Sequence, residues 1–152
     1  MRTVDADNDI GHTLRKETTD VLVIVTGGTI CMVQTDDGYM VDRGLANRLR
    51  DNKIFYDGEY CKANNLDEDW LVTPVTPFKG RIRFKVLEFD ELIDSSNIKI
   101  EDQKKIAHTI EENYKNYDGF VVCHGTDTMA YTSSALSFML ENLNKSVVIT
   151  GS

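Results

Sequence analysis

Hydrophobic positions in this chain fall into short blocks whose spacing changes from one block to the next. Val21-Leu22-Val23-Ile24-Val25 is an unbroken, mostly β-branched run bounded by Gly27 and Gly28, the pattern of a strand buried on both faces inside a parallel sheet. Ile30 to Gln34 and Tyr39 to Val41 flank Asp36-Asp37-Gly38, which predicts a β-hairpin around an Asp-Gly turn. Leu45 to Leu49 predicts a short helix. Asp51 to Lys79, with Trp70, Pro74 and Pro77, predicts an irregular polar connection. Ile82 to Phe89 alternates and predicts a strand, with Arg83, Lys85 and Leu87 on one face and Phe84, Val86 and Glu88 on the other.

The second half of the chain is more regular. Asp94-Ser95-Ser96-Asn97 predicts a loop. Glu101 to Tyr117 predicts a helix with Ile106, Ile110, Tyr114 and Tyr117 on one face and two acids in its first turn. Phe120 to Cys123 predicts a buried strand and Thr128 to Leu143 a helix presenting Leu136, Met139, Leu140 and Leu143 to a sheet. Val147 to Ile149 predicts another strand. The sum is an α/β fold: a mostly parallel sheet flanked by helices, joined by right-handed crossovers, with a β-hairpin after strand 1.

Composition adds limits. A chain of 152 residues with 41% hydrophobic and 28% charged residues has the makings of one globular domain. A net charge of -8 repels a phosphate backbone, so nucleic acid is not an expected partner. The longest apolar run is far short of the roughly 20 residues that a membrane-spanning helix needs, so no membrane association is expected. Met1 to Asp20 has no apolar stretch of the kind that directs secretion; we expect residues 1–20 to form a mobile polar tail, residues 21–152 to form the folded domain, and the location to be cytoplasmic. Cys31, Cys61 and Cys123 are an odd set without Cys-x-x-Cys spacing, which suits a reducing compartment. Cys123 and His124 are adjacent and so point to opposite faces of a strand; no metal and no cofactor are expected.

Ligands in open α/β sheets bind beyond the carboxyl ends of the strands, and two motifs occupy such places. Thr26-Gly27-Gly28-Thr29 follows the first strand, and His124-Gly125-Thr126-Asp127-Thr128 follows a later one. Tight turns and helix caps account for the same residues. A phosphate cradle does not fit, because the G-x-G-x-x-G spacing and the P-loop lysine are missing and the chain enters a hairpin where a helix should begin. A hydroxyl nucleophile at a glycine-flexed strand end does fit, given a base and a group to hold the substrate, which a second Thr-Asp turn on the same sheet edge can contribute.

Thr26-Gly27-Gly28-Thr29-Ile30 paired with His124-Gly125-Thr126-Asp127-Thr128-Met129 resembles the double signature of the L-asparaginase family. The resemblance extends to Leu92-Ile93-Asp94-Ser95-Ser96 and to Ala130 through Leu143, and is strongest to the cytoplasmic type I branch and to the amino-terminal domain of animal 60 kDa lysophospholipases. It covers about Val21 to Ser152. It implies hydrolysis of L-asparagine to L-aspartate and ammonia, with Thr29 as nucleophile and Thr126 as second catalytic threonine. Asp127 would bind the substrate α-amino group, Ser95 with Asp94 and Ser96 around it the α-carboxylate, and Tyr39 would lie on a loop that closes over Thr29. It gives His124 a supporting role in its turn.

The resemblance also implies a homo-oligomer at full length and a catalytic lysine, joined to Thr126 and Asp127, in sequence beyond Ser152. The expectation is therefore a carboxyl-terminally truncated domain, inactive or nearly so by itself. Cys31 stands where the family usually has Gly or Ala, and Lys99-Ile100 where it has a helix-capping Thr-Pro. Three alternatives belong to other classes: an inactive fragment that binds amino acid or pairs with a full-length asparaginase, a transfer-RNA-dependent amidotransferase subunit, and a lysophospholipase.

Overall fold

A computed structural model describes residues 18–36, 38–77 and 80–151. Of the expected tail, residues 1–17 lie outside the described residues, while Thr18 to Asp20 already belong to the first strand, β1 (Thr18–Gly27). The strand outruns its apolar block because Asp20 sits opposite Arg83 in the ladder and its carboxylate accepts two hydrogen bonds from that guanidinium, at 2.8 and 2.7 Å. A polar residue is thus retained inside the sheet by a charged partner.

After β1 come a 3₁₀ turn at Thr29–Cys31 and the antiparallel hairpin β2 (Met32–Thr35) and β3 (Gly38–Val41). The hairpin falls where the Asp-Gly turn predicts it, although Ile30 and Cys31 belong to the turn and not to its first strand. Helix α1 (Leu45–Arg50) follows. The connection read as irregular contains two short elements, α2 (Gly58–Ala63) and β4 (Leu71–Val72). Asp57 caps α2 by accepting the Tyr60 N–H at 3.0 Å, a role its side chain suits. The two-residue β4 is too short to show a period.

Then come β5 (Arg81–Ile93), α3 (Ile100–Asn113), β6 (Gly119–Cys123), α4 (Met129–Met139) and β7 (Ser146–Thr150). The main sheet has the order β4-β5-β1-β6-β7; β1 pairs in parallel with β5 and β6, β6 with β7, and only β4 is antiparallel. The fold is the α/β arrangement expected, a mostly parallel sheet flanked by helices.

Both long helices stop earlier than their apolar spacing suggests. Helix α3 ends at Asn113, and the Lys145 ammonium then binds the carbonyls of Tyr114 and, at 2.6 Å, Tyr117, supplying donors that the helix end lacks. Helix α4 ends at Met139, which is exposed instead of facing the sheet; the chain turns away through Asn142 at φ 63°, a conformation that asparagine tolerates. At the start of α3 the Lys99 side chain makes no cap, but Asp102 accepts the Lys99 N–H at 2.8 Å.

Alternation along the strands divides the core. Leu22 and Ile24 of β1, with Phe120 and Val122 of β6 and Phe89 of β5, pack against Ile106 and Ile110 of α3 and Leu136 of α4. On the opposite face Val25 and Cys123 pack with Cys31 and Leu45. Apolar burial of this kind contributes roughly 25 cal/mol per Å². Among the described residues no helix is long and apolar enough to cross a membrane.

Candidate functional site

The carboxyl ends of β1, β5 and β6 bring three turns together, and glycine permits the contact. Gly28, at φ 89°, passes so close to the second signature that a Cβ there would lie 2.8 Å from the Cα and N of Gly125. A Cβ on Gly125 would lie 2.4 Å from the Ser95 hydroxyl. Two side chains of hydrogen therefore let the TGGT, DSS and HGTD segments converge. Cross-links hold them there. The Thr26 hydroxyl donates to the Cys123 carbonyl at 3.0 Å, tying the end of β1 to the end of β6. The Thr128 hydroxyl donates to the Ser95 carbonyl at 2.6 Å, tying the HGTD turn to the turn after β5.

The convergence encloses a pocket of about 190 Å³, and Thr29, Thr126, Asp127, Asp94 and Ser95 all line it. Thr29, Thr126 and Asp127 are exposed and Ser95 is buried. Among the described residues, the Thr29 and Thr126 hydroxyls and the Asp127 carboxylate take no hydrogen-bond partner, whereas the neighbouring Thr26 and Thr128 hydroxyls are bound to carbonyls. The two sets of threonines thus divide into structural and available. Asp94 is committed in part: its carboxylate accepts the Ser96 N–H at 3.2 Å and the Ser96 hydroxyl at 2.8 Å, an Asx turn.

Two residues from the sequence reading stand apart. Ser96 is exposed, spends its hydroxyl on Asp94 and does not line the pocket. Tyr39, on β3, is 68% exposed and does not line it either. Conversely, Met32 and Val41 contribute walls that no motif pointed to, and Leu92 and Ile93, within a segment of the resemblance, line it without having been assigned a role.

His124 is fully buried beneath its turn. Its Nδ1 lies 2.6 Å from the Gly125 carbonyl, which accepts its proton, and its backbone N–H donates to Thr150 at 2.8 Å. It does not line the pocket. Cys31 does line it but is 1% exposed and packs inward. Burial, reinforced by the negative charge of Glu88, raises its thiol pKa. Burial and then Cys31 push Cys123 up to about 11. Both therefore stay protonated and act as small apolar groups.

A larger open groove of about 1300 Å³ runs between α3 and the end of α4, past Lys104, His108, Glu112 and Asn142. No strand end or glycine turn points into it. The small pocket, by contrast, lies at the carboxyl end of the sheet and is lined by residues of both signature turns.

Comparison with known proteins shows which family the chain resembles. The domain description "Asparaginase, N-terminal" matches residues 20–152. The chain is 52% identical to the 60 kDa lysophospholipase of Mus musculus over 132 residues, covering 86% of this chain and 23% of that protein. It is 41% identical to L-asparaginase 1 of Escherichia coli (strain K12), covering 87% and 33%. The crystal structure of L-asparaginase I from Vibrio cholerae superposes with a TM-score of 0.64 at 36% identity, over 88% of this chain and 34% of that one. The chain thus spans between about a quarter and a third of the length of these relatives. With both signatures at one pocket and a domain match over nearly all the described residues, this chain belongs to the asparaginase family.

Proposed function

We propose that the full-length protein carrying this chain hydrolyses L-asparagine to L-aspartate and ammonia, with Thr29 as nucleophile. One observation carries the reading: Thr29 and the Thr126-Asp127 pair, 97 residues apart in sequence if counted from Thr29 to Thr126, line one small pocket with their polar groups uncommitted. The L-asparaginases among the relatives support the same chemistry at the level of the family.

The Thr29 hydroxyl attacks the side-chain amide carbon of asparagine and loses its proton. The C–N bond breaks, ammonia departs with a proton, and an ester to Thr29 is left. Water then cleaves the ester, returning the hydroxyl and releasing aspartate. Asp127 holds the α-amino group through a charge-assisted hydrogen bond. Ser95 and Asp94 receive the α-carboxylate end, where the Ser95 hydroxyl and not the Asp94 carboxylate is the suitable donor.

A threonine hydroxyl is scarcely ionised near neutrality, so its proton must be taken by a base. Among the described residues, no lysine or histidine lines the pocket. The relay from Thr126 and Asp127 therefore draws on a basic group outside the lining residues, for which the family resemblance implies a lysine. Tyr39, on the exposed hairpin, reaches Thr29 by closure of that hairpin. At full length the protein forms a homo-oligomer in the cytoplasm.

Ammonia release from L-asparagine by the full-length protein and its Thr29→Ala variant tests the reading. The parent is expected to turn over and the variant to be slower by about 10³-fold or more. Equal rates would refute the assignment of Thr29.

A further inference from the structure

All three carbonyls of the Thr29–Cys31 turn are occupied, two by backbone N–H groups and one by a side chain. The Thr29 carbonyl accepts the Met32 N–H within the turn itself. The Cys31 carbonyl accepts the Asp42 N–H at 2.7 Å where the hairpin closes. The Ile30 carbonyl accepts Nη2 of Arg48, at 3.0 Å, from helix α1. The other arm of the same guanidinium, Nη1, binds the Asp42 carboxylate and approaches the Asp42 carbonyl at 3.4 Å. Turn, Arg48 and Asp42 thus form a closed ring: Asp42 grips the turn through its backbone and grips Arg48 through its side chain.

The ring is anchored to the sheet. Helix α1 begins with the N–H groups of Gly44 and Leu45 donating to the Glu88 carboxylate, at 3.0 and 3.1 Å and at 2.7 Å. Glu88 pairs with Val25 in the central ladder, near the end of the strand that delivers Thr29. A continuous path runs from β5 through Glu88, α1 and Arg48 to the Ile30–Cys31 peptide, the second after Thr29.

We propose that Arg48, oriented by Asp42, is a positioning residue for the Thr29 hydroxyl; this rests on Thr29 being the nucleophile. The Ile30 carbonyl belongs to the second peptide after the Thr29 α-carbon. Releasing it frees the backbone on one side of the hydroxyl, and a displacement of about 1 Å at a reacting group can cost about 10²-fold in rate. The guanidinium fork bonds carbonyl and carboxylate together, a geometry that a lysine ammonium does not reproduce. The Arg48–Asp42 pair is part-exposed, at 30% and 43%, so as an ion pair it adds little to global stability. A purely structural role and a positioning role therefore predict different results.

The test compares Arg48→Ala, Arg48→Lys and Asp42→Asn with the parent in the full-length protein, by kinetics on L-asparagine, thermal unfolding and peptide-level hydrogen exchange. For Arg48→Ala we expect kcat to fall by about 10- to 100-fold with KM within about threefold and Tm nearly unchanged. Arg48→Lys should recover only part of the loss, and Asp42→Asn should fall in the same direction by less. Amides of Cys31 and Met32 should exchange about tenfold faster in Arg48→Ala while those of α3 stay protected. In a Thr29→Ala background, Arg48→Ala should have no further effect on residual turnover. Unchanged kcat and unchanged exchange at the turn would overturn the proposal, as would a kcat loss matched by a general loss of Tm and protection. Should Thr29→Ala retain activity, the nucleophile reading fails and, with it, this role for Arg48 in the reaction; the exchange result then decides separately whether the clamp holds the turn.

Discussion

At the amino end of the sheet, Arg81, Arg83 and Lys85 stand at alternate positions along β5. Each meets both a carboxylate and an aromatic ring. Arg81 binds Asp57 at 2.7 Å and lies 4.1 Å from the Tyr60 ring; Arg83 binds Asp20 and lies 4.4 Å from the Trp70 ring; Lys85 reaches Asp69 at 3.4 Å and Trp70 at 5.0 Å. At the carboxyl end of the same strands, glycines crowd the backbone together, and two threonine hydroxyls and one carboxylate are left uncommitted around a pocket. The first end spends its polar groups on internal contacts, which is how polar groups support a fold. The second holds them back, which is how a site keeps them for a ligand. Substitutions at the two ends should therefore separate activity from stability.

The largest effect is expected for Thr29→Ala: a loss of about 10³-fold or more in turnover, equivalent to about 4 kcal/mol of barrier, with Tm unchanged. Next is Gly28→Ala. Its Cβ would meet Gly125 at 2.8 Å in a left-handed conformation, so turnover should fall by about 10²-fold and, unlike Thr29→Ala, Tm should fall too. Kinetics and calorimetry on the same preparations distinguish the two.

At the amino end, Arg83→Ala should destabilise the chain by about 2 kcal/mol, because it removes a two-point contact from the buried Asp20 carboxylate and a cation from the Trp70 face. The surviving folded fraction should keep its activity; a matching loss of kcat would break the division between the two ends. The smallest effect concerns Asp57. The N–H of Tyr60 and then the Arg81 guanidinium hold its carboxyl below the usual range. A carboxyl whose folded pKa is depressed stabilises the fold above its unfolded pKa of about 3.9, and loses that contribution as pH falls through the folded value. Asp57→Asn should therefore lower Tm slightly at pH 7 and converge with the parent as the medium is acidified toward pH 2, followed by circular dichroism.

Much of this contrast was legible in the sequence, for physical reasons. Apolar runs such as Val21 to Val25 mark strands buried on both faces, and strand ends are where parallel sheets bind ligands, so the TGGT and HGTD turns could be placed on one edge before any coordinates. The short elements in the 51–79 connection were not legible, since α2 and β4 are each too brief to express a period. Helix ends were misjudged where a tertiary contact ends the helix, as Lys145 does beyond α3. The walls of the pocket bring residues of the hairpin and of β5 together, and the Arg48–Asp42 ring joins α1 to the turn after β1, contacts that no local spacing encodes. Of the site residues named from sequence, Tyr39 and Ser96 do not line the pocket: Tyr39 lies on the hairpin, and Ser96 serves the Asx turn.

The most direct test of the central claim is to quench the full-length protein in acid during turnover of L-asparagine, digest it and search by mass spectrometry for an aspartyl ester. The account predicts an ester on the peptide that contains Thr29, absent from Thr29→Ala. An ester on Thr126 instead, or undiminished asparagine hydrolysis by Thr29→Ala, would contradict it.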